Sequence, residues 1–138
     1  MTDTSDLKYA KEVFRTKGLA FAIVRDNEIL SESRERGVAP FLRVVQKKNV
    51  RGASLADKVV GKAVAFLSVY AGIASVYTKV ISSPAEKVFQ EYNIHVEADA
   101  VVPMIKNRRG DDQCPIEKMI FTCETPEEAY KVLKEKVE

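Results

Sequence analysis

The sequence predicts an α/β fold, a three-layer α/β/α sandwich built around a mixed sheet, and three observations point there. Near the start, two apolar runs are joined by Arg25-Asp26-Asn27, where Asp and Asn tolerate positive φ, so a β-hairpin and an antiparallel pair are expected. Later, the β-branched run Ile73–Ile81 leads directly into the helix opening Ser83-Pro84-Ala85-Glu86 and then into an alternating run from Ile94. A strand, helix, strand succession requires a right-handed crossover and parallel pairing, with helices over both faces of the sheet.

The elements follow in order. Leu7, Ala10, Val13 and Phe14 recur at helical spacing over residues 5–16, with Thr4 or Ser5 as N-cap and Gly18 beyond the end. The hairpin pairs Leu19–Val24 with Glu28–Ser31, and the polar stretch Ser31–Gly37 ends it. Val38–Val45 is a short helix with Pro40 in its first turn, followed by a basic connector, Lys47–Gly52. Ser54 and Asp57 stand in capping-box spacing, so a central helix is expected from Ser54 to about Ala71, stopped by Gly72. After the strand at Ile73–Ile81 and the helix to about Tyr92, Ile94–Ala98 is a further strand. Val101–Ile105 is a separate edge strand limited by Pro103. Lys106–Gln113 is a charged loop, Cys114-Pro115-Ile116-Glu117 opens a short helix, and Thr125-Pro126-Glu127-Glu128 caps a last helix ending near Lys136.

Composition narrows the function classes. A chain of 138 residues suits one domain spanning 1–138. With 22 basic against 20 acidic residues there is no general basic field, so no nucleic-acid partner is expected. The longest apolar run, Ala63–Tyr77, is shorter than the roughly 20 residues a membrane crossing needs, and no membrane partner is expected. The first residues lack the basic and apolar regions of a secretory signal, which makes the cytoplasm the default location. Cys114 and Cys123 are nine apart without a CxxC, which argues against a disulfide framework or a zinc ribbon. The exposed apolar stretch Val101–Ile105 suggests a homodimer that covers an edge.

Two clusters carry candidate chemistry. Asp57, Lys58 and Lys62 crowd the opening of the expected central helix, where two lysines at i, i+4 repel each other and oppose the helix dipole. An anion there would remove both penalties, so Lys58 and Lys62, together with Ser82 and Ser83 at the next helix start, are candidate ligands for a phosphate or carboxylate. A catalytic alternative uses Lys58 or Lys62 as base or nucleophile, oriented by Asp57. Against both, Asp57 suits a helix first turn and the lysines can reach water from a buried helix. The second cluster runs from Asn107 to Glu117. Asn107 and Arg108 are candidate anion ligands, and Cys114 and Glu117 are candidate catalytic groups, while Asp111 and Asp112 are available to neutralise Arg108 and Arg109.

A hairpin, a helix start, and a strand running into a second helix start resemble the cytidine-deaminase-like fold. The motifs Gly37-Val-Ala-Pro40, Ala56-Asp57-Lys58-Val-Val-Gly61-Lys62-Ala63, Ser82-Ser-Pro-Ala85 and Asn107-Arg108-Arg-Gly110 with Cys114-Pro115-Ile-Glu117 look like those of an uncharacterised family of small bacterial and archaeal proteins. That family is grouped with the deaminase-like superfamily and has no assigned activity; the resemblance runs from about Leu19 to Glu117. Zinc deaminases hold their metal at the two helix starts with His or Cys ligands beside a Glu. Here those starts read Ala56-Asp57-Lys58 and Ser82-Ser83-Pro84-Ala85, and the lone His95 lies on a strand. The expectation is a deaminase-like domain with no metal and no cofactor that binds a small ligand bearing a phosphate or carboxylate, nucleotides being one candidate class; the alternative is a zinc-independent enzyme using Lys58 or Lys62 with Asp57, and Cys114 or Glu117.

Overall fold

The computed structural model describes residues 4–137, and side chains from Ser5 onward. Its elements are α1 (Thr4–Lys17), β1 (Phe21–Arg25), β2 (Glu28–Ser33), α2 (Ala39–Lys47), β3 (Ser54–Val60), α3 (Lys62–Ala71), β4 (Ser75–Ser82), α4 (Ser83–Glu91), β5 (His95–Val102), α5 (Pro115–Met119) and α6 (Pro126–Val137). Helix α1 begins at Thr4, whose side chain lies outside the described residues, so the expected cap there is not described; Ser5 lies inside the helix.

The sheet has the order β2-β1-β3-β4-β5. Strand β1 runs antiparallel to both β2 and β3, whereas β3, β4 and β5 are parallel, which makes the sheet mixed. The hairpin turns on Asp26 and Asn27, whose φ values of 52° and 63° match a type I′ turn and its twist. Asp6 secures that turn from α1, its carboxylate accepting from the backbone N–H groups of Asp26 and Asn27 at 2.9 Å each.

Period-two alternation sends the strand side chains to two cores. Ala22, Val24, Ala56 and Tyr77 meet Leu7, Ala10, Val13 and Phe14 of α1 on one face. Phe21, Ile23, Leu55 and Val76 meet α2, α3, α4 and α6 on the other. Helices thus cover both faces, as the three-layer sandwich requires. Helix α3 lies at the centre of the second core: every residue from Ala63 to Ser68 is buried, and Gly72 closes the helix in the left-handed conformation.

Three local expectations are corrected. The central helix does not start at Ser54: residues 54–60 form β3, and α3 begins only after Gly61, which is extended at φ −97° and ψ −176°. Flanked by β1 and β4, β3 has its backbone groups taken by neighbours on both edges, and Ser54 bonds across to Ser75 (Oγ to Oγ, 2.7 Å) instead of capping a helix. The cap of α4 is Ser82, one residue earlier than expected, its Oγ accepting from the backbone N–H of Ala85 at 3.2 Å. The two runs after Ile94 are one strand, β5, which pairs with β4 along its length and ends before Pro103, where a missing N–H costs nothing. As the edge strand, β5 leaves Val101 exposed, and Met104 beyond it is exposed too. Among the described residues no helix is long and apolar enough to cross a membrane.

Candidate functional site

Parallel strands direct their carboxyl ends toward the starts of the following helices, and ligands of such sheets collect there. A cavity of about 330 Å³ opens at this position. Its walls are Ala20 and Phe21 at the start of β1, Glu35 to Val38 in the loop before α2, Asp57 to Val59 with Gly61 and Val64, and Ile105, Arg108, Cys114 and Glu117 from the segment that follows β5.

Asp57 is one of two buried carboxyls in this wall. It is paired in register with Phe21 on one side and Thr78 on the other, so the sheet itself holds it in place. Its side chain is nine-tenths buried, at 9% exposure, and accepts one long hydrogen bond, from the Val59 N–H at 3.4 Å. Burial pushes its carboxyl up to about 7, against the opposing pull of the Val59 and Lys58 backbone N–H groups. Such a group exchanges a proton near neutral pH.

Glu117 is the second buried carboxyl, and its acceptor capacity is already used. It receives the backbone N–H groups of Lys62 and Ala63 at 2.7 and 2.9 Å, which are the orphan donors of the first turn of α3. Burial raises its pKa, while those two N–H groups and the Lys62 charge act the other way. The anion at the start of α3 is therefore the protein's own. At the start of α4 Ser82 is fully buried in its capping role, and Ser83 donates to the Val102 carbonyl at 3.4 Å; neither lines the cavity.

The remaining candidates divide. Lys58 contributes to the wall from the exposed part of β3. Lys62 turns away: its Nζ donates to the Phe121 carbonyl at 2.9 Å and lies over the rings of Phe66 and Phe121. Cys114, half-buried at the cap position of α5, and Arg108 both face the cavity. Asn107 folds its own loop, its amide donating to Asp111 and its carbonyl accepting from the N–H groups of Gly110 and Asp111. His95 is on the exposed edge strand beside Glu97, 3.5 Å away.

The acids that the sequence offered to the arginines are occupied elsewhere. Asp111 binds Asn107, and Asp112 pairs with Lys118. Across the cavity, Glu35 pairs with Arg43 at 2.8 Å. Among the described residues, Arg36 and Arg108 consequently have no carboxylate partner, and both line the cavity, Arg36 from the loop before α2 and Arg108 from the segment after β5. Arg36 was missed in the sequence because Ser31–Gly37 reads simply as the polar end of a hairpin; the adjacent Gly37-Val-Ala-Pro40 motif was the available signal. Asp57, Cys114 and Glu117 share the cavity, but among the described residues no group of three or more His, Cys, Asp or Glu converges to hold a metal ion.

A family model described as a domain of unknown function, DUF1893, matches residues 9–137. No curated protein sequence matches the chain. A solved DUF1893 family protein from Thermotoga maritima is 27% identical and superposes with a TM-score of 0.91, covering 99% of this chain and 92% of that one. The apo dCMP deaminase of the cyanophage S-TIM5 is 16% identical with a TM-score of 0.49, covering 71% of this chain and 99% of that one. A model that matches the chain from the middle of α1 to the end of α6 leaves no element of the sheet or of the cavity outside it, and the chain belongs to the DUF1893 family.

Proposed function

We propose that this protein binds, without zinc, a small molecule bearing a phosphate or carboxylate, whose anionic group lies between Arg36 and Arg108. The observation that carries this reading is the pair of arginines left without carboxylate partners on two separate loops that line one cavity, whose walls are otherwise largely apolar. Guanidinium groups are suited to clamp such anions through paired N–H donors, and a cavity of this volume accommodates a small metabolite. The helix starts themselves are supplied by Glu117 and Ser82, which supports placing the anion at the arginines. Of the groups considered for zinc-independent catalysis, Lys62 lies outside the cavity and Glu117 is engaged, which leaves Asp57, Lys58 and Cys114 as the ones lining the cavity.

The test is a thermal-shift and calorimetric screen of phosphate monoesters, nucleotides and simple carboxylates, with and without zinc, on the wild type and on Arg108→Ala. A ligand at a hundred times its dissociation constant adds about 2.7 kcal/mol to stability, a readily visible shift. The expected result is a ligand-specific rise that zinc does not alter and that Arg108→Ala weakens. Stabilisation by zinc alone, or a rise unaffected in both Arg36→Ala and Arg108→Ala, would overturn the proposal.

A further inference from the structure

We infer that the ligand is zwitterionic, with its anionic end between Arg36 and Arg108 and an amine or amidine at its other end bound to Asp57. This deepens the proposed function and rests on it. The two carboxyls buried in the cavity wall differ in what they still lack. Glu117 has both oxygens filled by backbone N–H groups at 2.7 and 2.9 Å. Asp57, equally enclosed, accepts a single bond at 3.4 Å, although a carboxylate has about four acceptor sites to fill. Glu35 is paired with Arg43. Of the described acids lining the cavity, Asp57 therefore retains the capacity to receive a donor from a ligand.

The cavity thus combines an under-satisfied acid in its wall with two exposed loop arginines, Arg36 and Arg108, while Lys58 lines it from β3. An all-anionic ligand would bring its body against Asp57 with no donor to offer. A ligand with N–H donors at one end and an anion at the other satisfies both regions, and charge-assisted bonds of this kind are the strong ones. The titratable and charged groups around Asp57 are Glu35 and Arg36 from the loop before α2, Lys58 on its own strand, Arg108 and Cys114 from the segment after β5, and Glu117 from α5. An ammonium binds the ionised form of Asp57, so its affinity falls as pH drops below about 7, the value to which burial raises that carboxyl.

The experiment is titration calorimetry of the full chain with ω-aminoalkyl phosphates of increasing chain length, each against the alkyl phosphate of the same length. It is run at pH 8 and pH 6 on the wild type, Asp57→Asn and Arg108→Ala. For at least one chain length, the amino compound is expected to bind the wild type about tenfold or more tighter than its alkyl counterpart at pH 8. That advantage shrinks at pH 6 and disappears in Asp57→Asn, while Arg108→Ala weakens both compounds. Alkyl phosphates that bind in an Arg108-dependent manner with no amino advantage at any length would overturn the inference and leave the anion reading standing. Absence of binding by every phosphate would overturn both, and the wild-type comparison decides the matter even without a folded Asp57→Asn.

Discussion

The carboxylate of Glu117 occupies the space that a side chain on Gly61 would need. A Cβ added at Gly61 would fall inside van der Waals contact of all three carboxylate atoms, although the residue's extended backbone suits any amino acid. The glycine is thus required by an approach between residues far apart in sequence, through which α5 closes the first turn of α3. Gly61→Ala is expected to destabilise the protein by about 1–3 kcal/mol, as overpacking does. Thermal denaturation of the single variants and of Gly61→Ala/Glu117→Ala checks this. Removing the carboxylate should relieve the clash, so the double variant should lose less than the sum of the singles; strict additivity would contradict the arrangement.

The buried hydroxyls of Ser54 and Ser75, opposite each other in the β3–β4 register, satisfy one another at 2.7 Å. Changing one leaves the other buried without its partner, at a cost of about 1–3 kcal/mol. Ser54→Ala alone should therefore lower the denaturation midpoint clearly, and adding Ser75→Ala should cost little more or restore part of the loss. Equal and additive losses would mean that each hydroxyl has another partner.

These two contacts also mark the limit of what was legible. The hairpin, the buried face of α1 and the crossover from β4 through α4 to β5 are local patterns, and each could be read from spacing and turn residues alone. Ser54–Ala71 could not, because Ser and Asp three apart before an apolar run fit a capped helix as well as a buried strand joined to a buried helix. What decides between them is non-local: β1 and β4 on either side of β3, and Glu117 closing the start of α3. The same holds for the site. Asp57, Lys58, Arg108, Cys114 and Glu117 stood out by residue type, and the fold brings them to one cavity, but with Asp57 and Lys58 on a strand. For Arg36 the only signal was the adjacent Gly37-Val-Ala-Pro40 motif, since whether an arginine is paired depends on partners that only the folded chain assembles.

Lys62 separates structural from ligand-binding lysines. Its Nζ donates to the Phe121 carbonyl and lies over two aromatic rings, outside the cavity. Lys62→Ala should therefore lower stability by about 0.5–1 kcal/mol, the discounted value of a solvent-accessible contact. Its affinity for any phosphate that responds to Arg108→Ala should be unchanged. Parallel melting and calorimetry on the two variants give the comparison, and a weakened phosphate affinity in Lys62→Ala would return that lysine to the site.

Asp57 makes stability depend on pH in a direction opposite to that of an ordinary salt-bridged acid. Its folded-state pKa is raised by burial from 3.8 to about 7, so the folded chain holds a proton that the unfolded chain releases. The stabilisation associated with that proton is fully present below pH 4 and is lost as pH rises through about 7. At pH 8 a charged carboxylate must be kept in the cavity wall with one long hydrogen bond, which costs on the order of a few kcal/mol. Asp57→Asn removes the ionisation and keeps the shape. The variant should accordingly melt at nearly the wild-type temperature at pH 4 and above it at pH 8, the gap opening between about pH 4 and 7. Melting curves of both proteins across that range test this, and a difference that stays constant with pH would show that Asp57 titrates as an exposed acid does.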